Sequence, residues 1–367
     1  MSGSLADERL AEAGQLRLTW WRFKRHKLAV ISLFIVILFY TIAVFADFLA
    51  TADPHATDAR RSYMPPQGIH LFDENGFNPH VYGLKGQRDM KTFKMVYVPD
   101  PSRKLQVEFF VKGYEYDLFG FIPTTRHLFG VVGGTPVDGV FLLGTDQLGR
   151  DLYSRLVVAT RISLSIGLAS VTISLILGVL LGGLSGLYGG IIDTIIQRVI
   201  EVIRSIPTIP LWMGVAAALP NTWTVIQVYF AITLIISLIG WTELARVVRG
   251  RFLALREEDF VIAAELAGAG QMRIMLRHML PSFTSHIIAA VSLALPAMII
   301  SETSLSFLGL GLRPPAISWG ILLQDAQNVQ VLAGAPWLLL AAVPVVLVIL
   351  AFNFLGDGLR DAADPYG

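Results

Sequence analysis

A chain of 367 residues in which 54% are hydrophobic and only 16% charged lacks the polar surface to cover a water-soluble particle, since soluble domains carry about 25% charged residues. It reads as an integral membrane protein. A balance of 29 basic and 28 acidic side chains argues against a nucleic-acid partner, which calls for a clustered basic face, and the lack of cysteine excludes disulfides, Cys-ligated zinc, iron–sulfur clusters and thiol catalysis.

The first 27 residues are polar and end on Arg17, Arg22, Lys24, Arg25, His26 and Lys27, just before the uncharged run 28–46. That run is longer than a secretory h-region and predicts an anchor helix over 28–49, with its basic flank in the cytoplasm. Residues 50–157 form an insert of different composition, with twelve Lys/Arg against twelve Asp/Glu. Its stretches 94–98, 104–112 and 114–121 are rich in Val, Tyr and Phe between Pro and Gly, which predicts short strands in a small, partly β extracytoplasmic domain.

Beyond Ile162 the uncharged runs are 162–192, 205–242, 279–301 and 331–356. The second is too long for one span and divides at Leu219-Pro220-Asn221. The expectation is an all-α membrane protein of six transmembrane helices, with a five-helix core over 158–356 and a cytoplasmic tail over 357–367. Loops 189–194 and 245–280 then face the cytoplasm. Loop 245–280 carries Arg246, Arg249, Arg251, Arg256, Arg273 and Arg277, while the outer loops 219–223 and 304–336 carry only Arg313, as the positive-inside rule requires.

The long cytoplasmic loop holds the clearest local design. Glu257, Glu258 and Asp259 supply the negative charge that favours a helix start, and Phe260, Ile262, Ala263 and Ala264 form an apolar patch beside Glu265. Gly268 and Gly270, with Ala269 between them, break or cap this helix, and a second, basic helix with Arg277 runs to a stop at Pro281. A short helix with Ala at its crown, held between two spans, suits docking into a partner's groove; a solvated connector reads equally well from the pattern alone.

Ala263-Ala264, Gly268 and His278-Met279-Leu280-Pro281 resemble the Glu-Ala-Ala-x3-Gly-x9-Ile-x-Leu-Pro loop of bacterial ABC importer permeases. Ile262 and His278 replace the motif's Glu and Ile, as in the oligopeptide/dipeptide branch. Leu143 to Asp151 with Ser154, Arg155, Arg161 and Ser163 is similar to the C-type permease of that branch. So are Leu305 to Gly311 with Pro314-Pro315 and Ser318-Trp319-Gly320, and Gly356 to Asp361 with Asp364-Pro365. The resemblance covers 20–50 and 140–367 and implies a type I ABC importer permease core. It implies that Glu258, Asp259, Phe260, Ala263, Ala264, Glu265, Gly268, Ala269, Arg277 and Pro281 couple the chain to an ATPase. It further implies a bacterial inner-membrane complex with a homologous B-type permease as heterodimer partner, two ABC ATPase subunits holding ATP and Mg, and an extracytoplasmic solute-binding protein. Peptides are the default cargo, oligosaccharides are next, and nickel complexes and opines occur in the branch. No Gly-x-x-x-x-Gly-Lys-Ser/Thr loop is present, so ATP is expected on other chains, with no cofactor, metal or catalytic residue on this one.

Further features carry open readings. Gly178, Gly182, Gly186 and Gly190, beside Gly183, form a small-residue stripe that is either a movable interface or static packing. Pro207, Pro210, Pro296 and Pro344 lie in spans and either bend pore-lining helices or make packing kinks. Glu243, His286, Glu302 and Asn353 are polar groups in or near spans, with Glu302 the candidate for an outer gate or substrate path. The insert is either a docking surface for the binding protein or a cap. From other classes, Gly183-Leu184-Ser185-Gly186 with His286 as base resembles an intramembrane serine protease, and a plain channel or non-ABC carrier is a further alternative.

Overall fold

The computed structural model describes residues 15–363 except 75, 89, 91–94, 134–138 and 221. Asn221, Lys94 and the Asp364-Pro365 pair singled out above lie outside the described residues.

Helix α1 (Gln15–Arg25) precedes α2 (Lys27–Val44) and the single turn α3 (Ala46–Leu49). Strands follow: β1 (His70–Asp73), β2 (Gly76–Arg88), β3 (Met95–Phe109), β4 (Lys112–Leu118), β5 (Ile122–Arg126) and β6 (Phe129–Val131). The chain then becomes helical, with α4 (Leu152–Tyr188), α5 (Gly190–Ser205), α6 (Thr208–Ala217), α7 (Val225–Leu255) and α8 (Asp259–Leu266). Helix α9 covers 271–282 and contains a π-helical stretch, Ile274–Met279. The last helices are α10 (Thr284–Phe307), α11 (Trp319–Asp325), α12 (Val329–Gly334) and α13 (Ala342–Ala363), the last preceded by a 3-10 turn, Pro336–Ala341.

The expected helical membrane protein with a small β insert is what forms, but the spans are arranged differently. Among the described residues, five helices are long and apolar enough to cross a membrane, or six spans if α5 and α6, bent by 86° at their junction, count as one. The sequence reading placed two spans within 205–242. Instead Pro207, with φ −55° and ψ 130°, breaks the helix ahead of α6, because proline has no N–H to continue the ladder and disfavours helix in the residue before it. Thr224 then starts α7 with a capping box: its hydroxyl accepts from Gln227 N at 3.3 Å and Gln227 Oε1 accepts from Thr224 N at 2.8 Å. Pro344 lies in the first turn of α13, where a missing N–H costs little, so it bends nothing; Pro296 does lie inside α10.

The chain forms two compact units. The first comprises residues up to Ile37, Ile166–Glu302 and residues from Leu347. Within it, α4 and α7 pack backbone to backbone: a Cβ on Gly178 would stand 2.7 Å from Leu244 Cβ, on Gly182 2.4 Å from Ala245 O, and on Gly186 2.7 Å from Phe252 Cβ. Such close approach is what a small-residue stripe permits. Gly190, counted in that stripe from sequence, has left it: α4 ends at Tyr188, and Gly189 and Gly190 turn the chain with φ of 62° and 56°. The contact yields an expected result. Gly182→Ala forces a methyl into a backbone carbonyl and should cost about 1–3 kcal/mol, lowering the thermal midpoint of the solubilised protein. Gly250→Ala, on the exposed side of α7 with nothing within 4 Å, should leave it unchanged or raise it.

The second unit comprises Leu38–Ser165 and Thr303–Val346. It holds a four-stranded antiparallel sheet in the order β1-β2-β3-β6 and the separate hairpin β4-β5. Val81, Val107, Val131 and Val140 form the sheet's core. The expected strands 94–98 and 104–112 prove to be one long strand, β3, which passes through Pro99 and Pro101.

Candidate functional site

The short helix α8 stands on a hydrophobic base. Val261 and Ala264 are three residues apart and so share a face, and both are buried against Val248, Phe252, Ile274, Met275, Met279 and Phe283. Glu258 precedes the helix in extended conformation and Asp259 occupies its first turn. Its end is a Schellman motif: Gly268 has φ +78°, Gly268 N donates to Glu265 O at 2.8 Å, and Ala269 N donates to Ala264 O at 3.0 Å. Gly268 is therefore required for its left-handed backbone.

The pattern placed Ala263 and Ala264 together at the crown, but only Ala263 faces out. With Val261 and Ala264 as the inner pair, the outer face falls to Phe260, Ile262, Ala263 and Leu266, and Leu266 is 85% exposed. Met272 and Leu276 on α9 are exposed too. Glu265 accepts from Gln271 Nε2 at 3.4 Å, and Arg277 and Pro281 are exposed. Pro281 does not stop α9: the helix continues to Ser282 and ends at Phe283. The wider π turn before it relieves the clash of the proline ring with the carbonyl four residues back.

The glycine stripe leads to the same base. A Cβ on Gly183 would stand 2.7 Å from Met275 Sδ, and Val179 and Leu187 of α4 pack on the cluster beneath α8. Arg249 clamps Asp193 at the start of α5 through Nε to Oδ1 and Nη2 to Oδ2, both at 2.6 Å. Ser185 Oγ donates to Asp193 Oδ1 and accepts from Gln197 Nε2 at 3.1 Å. The protease reading thereby loses its pairing: Ser185 is engaged by Asp193 and Gln197, while the His286 ring lies 3.4 Å from the Arg251 guanidinium.

The residues assigned from sequence to a translocation path are not alike. Pro207 and Pro210 are exposed, whereas Pro296 is buried and Glu302 is wholly buried. A group named as a candidate for an outer gate or substrate path is therefore closed off from solvent in this structure. Glu243 pairs with Arg204.

In the second unit the 143–151 motif folds around one carboxylate. Asp146 Oδ1 accepts from Leu148 N at 2.9 Å and Arg150 N at 3.0 Å, and Oδ2 accepts from Arg150 Nε at 2.7 Å and Arg155 Nη1 at 2.8 Å. Asp146 and Arg155 are almost completely buried, and Arg150 Nη2 lies 3.9 Å from Asp325. Burial raises the Asp325 carboxyl above its ordinary range. Gly149 turns beneath Asp58 with φ +74°; a Cβ there would stand 2.0 Å from Asp58 O. Ser163 Oγ accepts from Trp319 N at 3.1 Å, so the 143–163 and 305–320 motifs meet. Sequence reasoning quoted Asp146 and Arg155 without a role and missed Asp325. The Asp-x-x-Gly-Arg spacing signalled the turn, but no local signal marked Asp325, 179 residues from Asp146.

Asp151 caps α4, accepting from Ser154 N at 2.8 Å, Ser154 Oγ at 2.5 Å and Thr51 Oγ1 at 3.2 Å. Burial pushes its carboxyl up to about 6, outweighing the hydrogen bonds that pull it down. The folded state then holds a proton that the unfolded chain releases near pH 4, so this group's contribution falls as pH rises from about 4 to 6. Relative to the parent, Asp151→Asn should gain up to about 3 kcal/mol over that window, visible as a convergence or crossing of their thermal midpoints between pH 4 and 6.5.

Among the described residues, five helices long and apolar enough to span, a bent sixth hydrophobic segment and an apolar-faced helix between two of the spans are the features of a polytopic permease. A model of the family described as "Binding-protein-dependent transport system inner membrane component" matches residues 174–366. One described as "N-terminal TM domain of oligopeptide transport permease C" matches residues 14–66. The chain is 41% identical over 223 residues to the oligopeptide transport system permease protein OppC of Escherichia coli (strain K12), covering 60% of this chain and 71% of that one. It is 42% identical over 223 residues to the protein of the same name in Salmonella typhimurium, with the same coverage. To that of Haemophilus influenzae it is 40% identical over 231 residues, covering 62% of this chain and 71% of the relative. The chain belongs to the family of inner-membrane components of binding-protein-dependent transport systems, in its oligopeptide permease C branch. It is a multi-pass permease subunit of an ABC importer.

Proposed function

We propose that this chain forms half of the translocation path of an ATP-driven peptide importer, with both termini in the cytoplasm. Its partners are a homologous B-type permease, two ATPase subunits that hold ATP and Mg, and an extracytoplasmic binding protein; the chain itself does no covalent chemistry. Peptide cargo is supported by the similarity to oligopeptide transport permeases; nothing comparable favours oligosaccharides.

The observation that carries the coupling role is α8: two buried anchors hold it while Phe260, Ile262, Ala263 and Leu266 face outward. Exposed apolar side chains on a helix with i, i+3, i+4 spacing fit a hydrophobic groove. Movement of the ATPases would push α8, and the cluster beneath it would pass that push to α4 and α7, shifting the permease between inward-open and outward-open states.

The reading is tested by purifying the chain, tagged at its C-terminus and at native expression level, in mild detergent. Recovery of a second permease and two ATPases in fixed ratio supports it. Recovery of the chain alone across several detergents overturns it.

A further inference from the structure

The hairpin β4-β5 ends in apolar rings that its own fold does not bury. Phe119, Phe121 and Ile122 at its tip are exposed, Phe121 by 74%, and Phe110 just before β4 is exposed as well. The tip is also conformationally unusual. Phe119 has φ +58° and is followed by Gly120 at φ +81°, closing a tight turn in which Gly120 N donates to Asp117 O at 3.0 Å. Phe110 has φ +57°. A left-handed backbone is strained for a bulky aromatic residue, and glycine or asparagine is the usual occupant. Strain of this kind, at an exposed ring, points to a role outside the fold.

The neighbourhood of the tip says what that role is. Phe119 packs edge-on against Phe45 with ring centroids 5.6 Å apart, and Phe110 lies 6.2 Å from Phe48. Phe45 directly follows α2, whose 18 residues rise about 27 Å, close to the hydrocarbon thickness of a bilayer. Two residues later Asp47 is the first charge since Lys27, and it pairs with Arg161 at 2.8 Å. Phe45 therefore marks the level where the span meets the headgroups. The hairpin is fixed at that level: Leu128 N donates to Phe48 O at 2.8 Å, and His127 Nδ1 lies 2.9 Å from Asp47 O. Exposed Phe45, Phe119 and Phe121 adjoin in turn, the Phe119 ring centroid lying 6.3 Å from that of Phe121, and Leu38 and Val44 of α2 are exposed as well. The arms behind the tip carry exposed Lys112, Glu115, Asp117 and Arg126, with Tyr114 and Tyr116 between them, the polar and amphipathic residues that suit an interface.

We propose that the β4-β5 hairpin is a membrane wedge: Phe119, Phe121 and Ile122 enter the leaflet in which α2 ends and hold the insert against the lipid surface. The partner is the bilayer's headgroup and acyl boundary. The proposal rests on the reading that α2 spans the membrane.

The chain has no cysteine, so Phe121→Cys supplies a single thiol for an environment-sensitive fluorophore on the full chain in bilayer nanodiscs. The expected result is a blue-shifted probe, quenched by nitroxide-labelled lipid and several-fold less quenched by aqueous iodide than the free dye. Iodide quenching equal to that of the free dye, without nitroxide quenching, overturns the proposal. So does shielding that appears only when the binding protein is added, which would make the tip a protein-docking site. If Phe121→Cys does not accumulate, Ile122→Cys gives the same readout. Leu38→Cys separates the two readings: lipid quenching at 38 but not at 121 removes the wedge alone, and quenching at neither removes the spanning helix with it.

Discussion

Leu266→Asp will abolish ATP-driven uptake while leaving the protein folded in the membrane. Leu266 is 85% exposed and lies outside the cluster that seats α8, so the parent fold has nothing to lose there. At a docked interface the same change places a carboxylate in an apolar groove, and loss of a central anchor typically costs about 2–4 kcal/mol of binding, or roughly 30- to 1,000-fold at equilibrium. Uptake by cells carrying the variant, at membrane levels matched by immunoblot, checks this. Phe260→Asp, on the same outer face, should behave alike. Ala264→Arg is a poorer probe, because Ala264 is buried and its loss would confound docking with folding.

The second large effect belongs to Asp146. It neutralises Arg155, which is 1% exposed, and also pairs with Arg150. Asp146→Ala leaves a buried guanidinium without its closest carboxylate and frees two backbone donors, at an expected cost of about 3–5 kcal/mol. Arg155→Met should cost much less, because Asp146 keeps Arg150 and both backbone N–H groups. The asymmetry is the informative quantity, read from thermal midpoints of the two variants in one detergent. Equal losses would mean that the Asp146–Arg155 pair, and not the wider carboxylate turn, holds this part of the unit.

What the sequence revealed, and what it concealed, divides along physical lines. Uncharged runs disclosed the spans because a bilayer tolerates few charges, but their lengths misplaced the helix ends. α4 starts at Leu152, ten residues before its uncharged run, with Arg155 neutralised by nearby Asp146 and Arg161 by Asp47, which is remote in sequence. The break at Pro207 was legible as a proline and illegible as an 86° bend, because proline's effect depends on what packs around it. The glycine stripe announced close packing but not its partner; only the fold shows that Leu244, Ala245 and Phe252 fill the groove. In the loop 245–280, Gly268 and the acidic start were readable from local rules. The inward turn of Ala264 followed from Val261, whose burial no local pattern specified. Glu302, expected in or near a span, is wholly buried, a burial that no local pattern marked.

The most direct test of the account places a photo-crosslinking amino acid at Leu266 and irradiates cells carrying the intact system. The account predicts a crosslink from this position to a subunit with an ATP-binding phosphate loop, lost when the probe is moved to buried Val261. A chain that supports normal uptake yet forms no such crosslink from position 266 would contradict it.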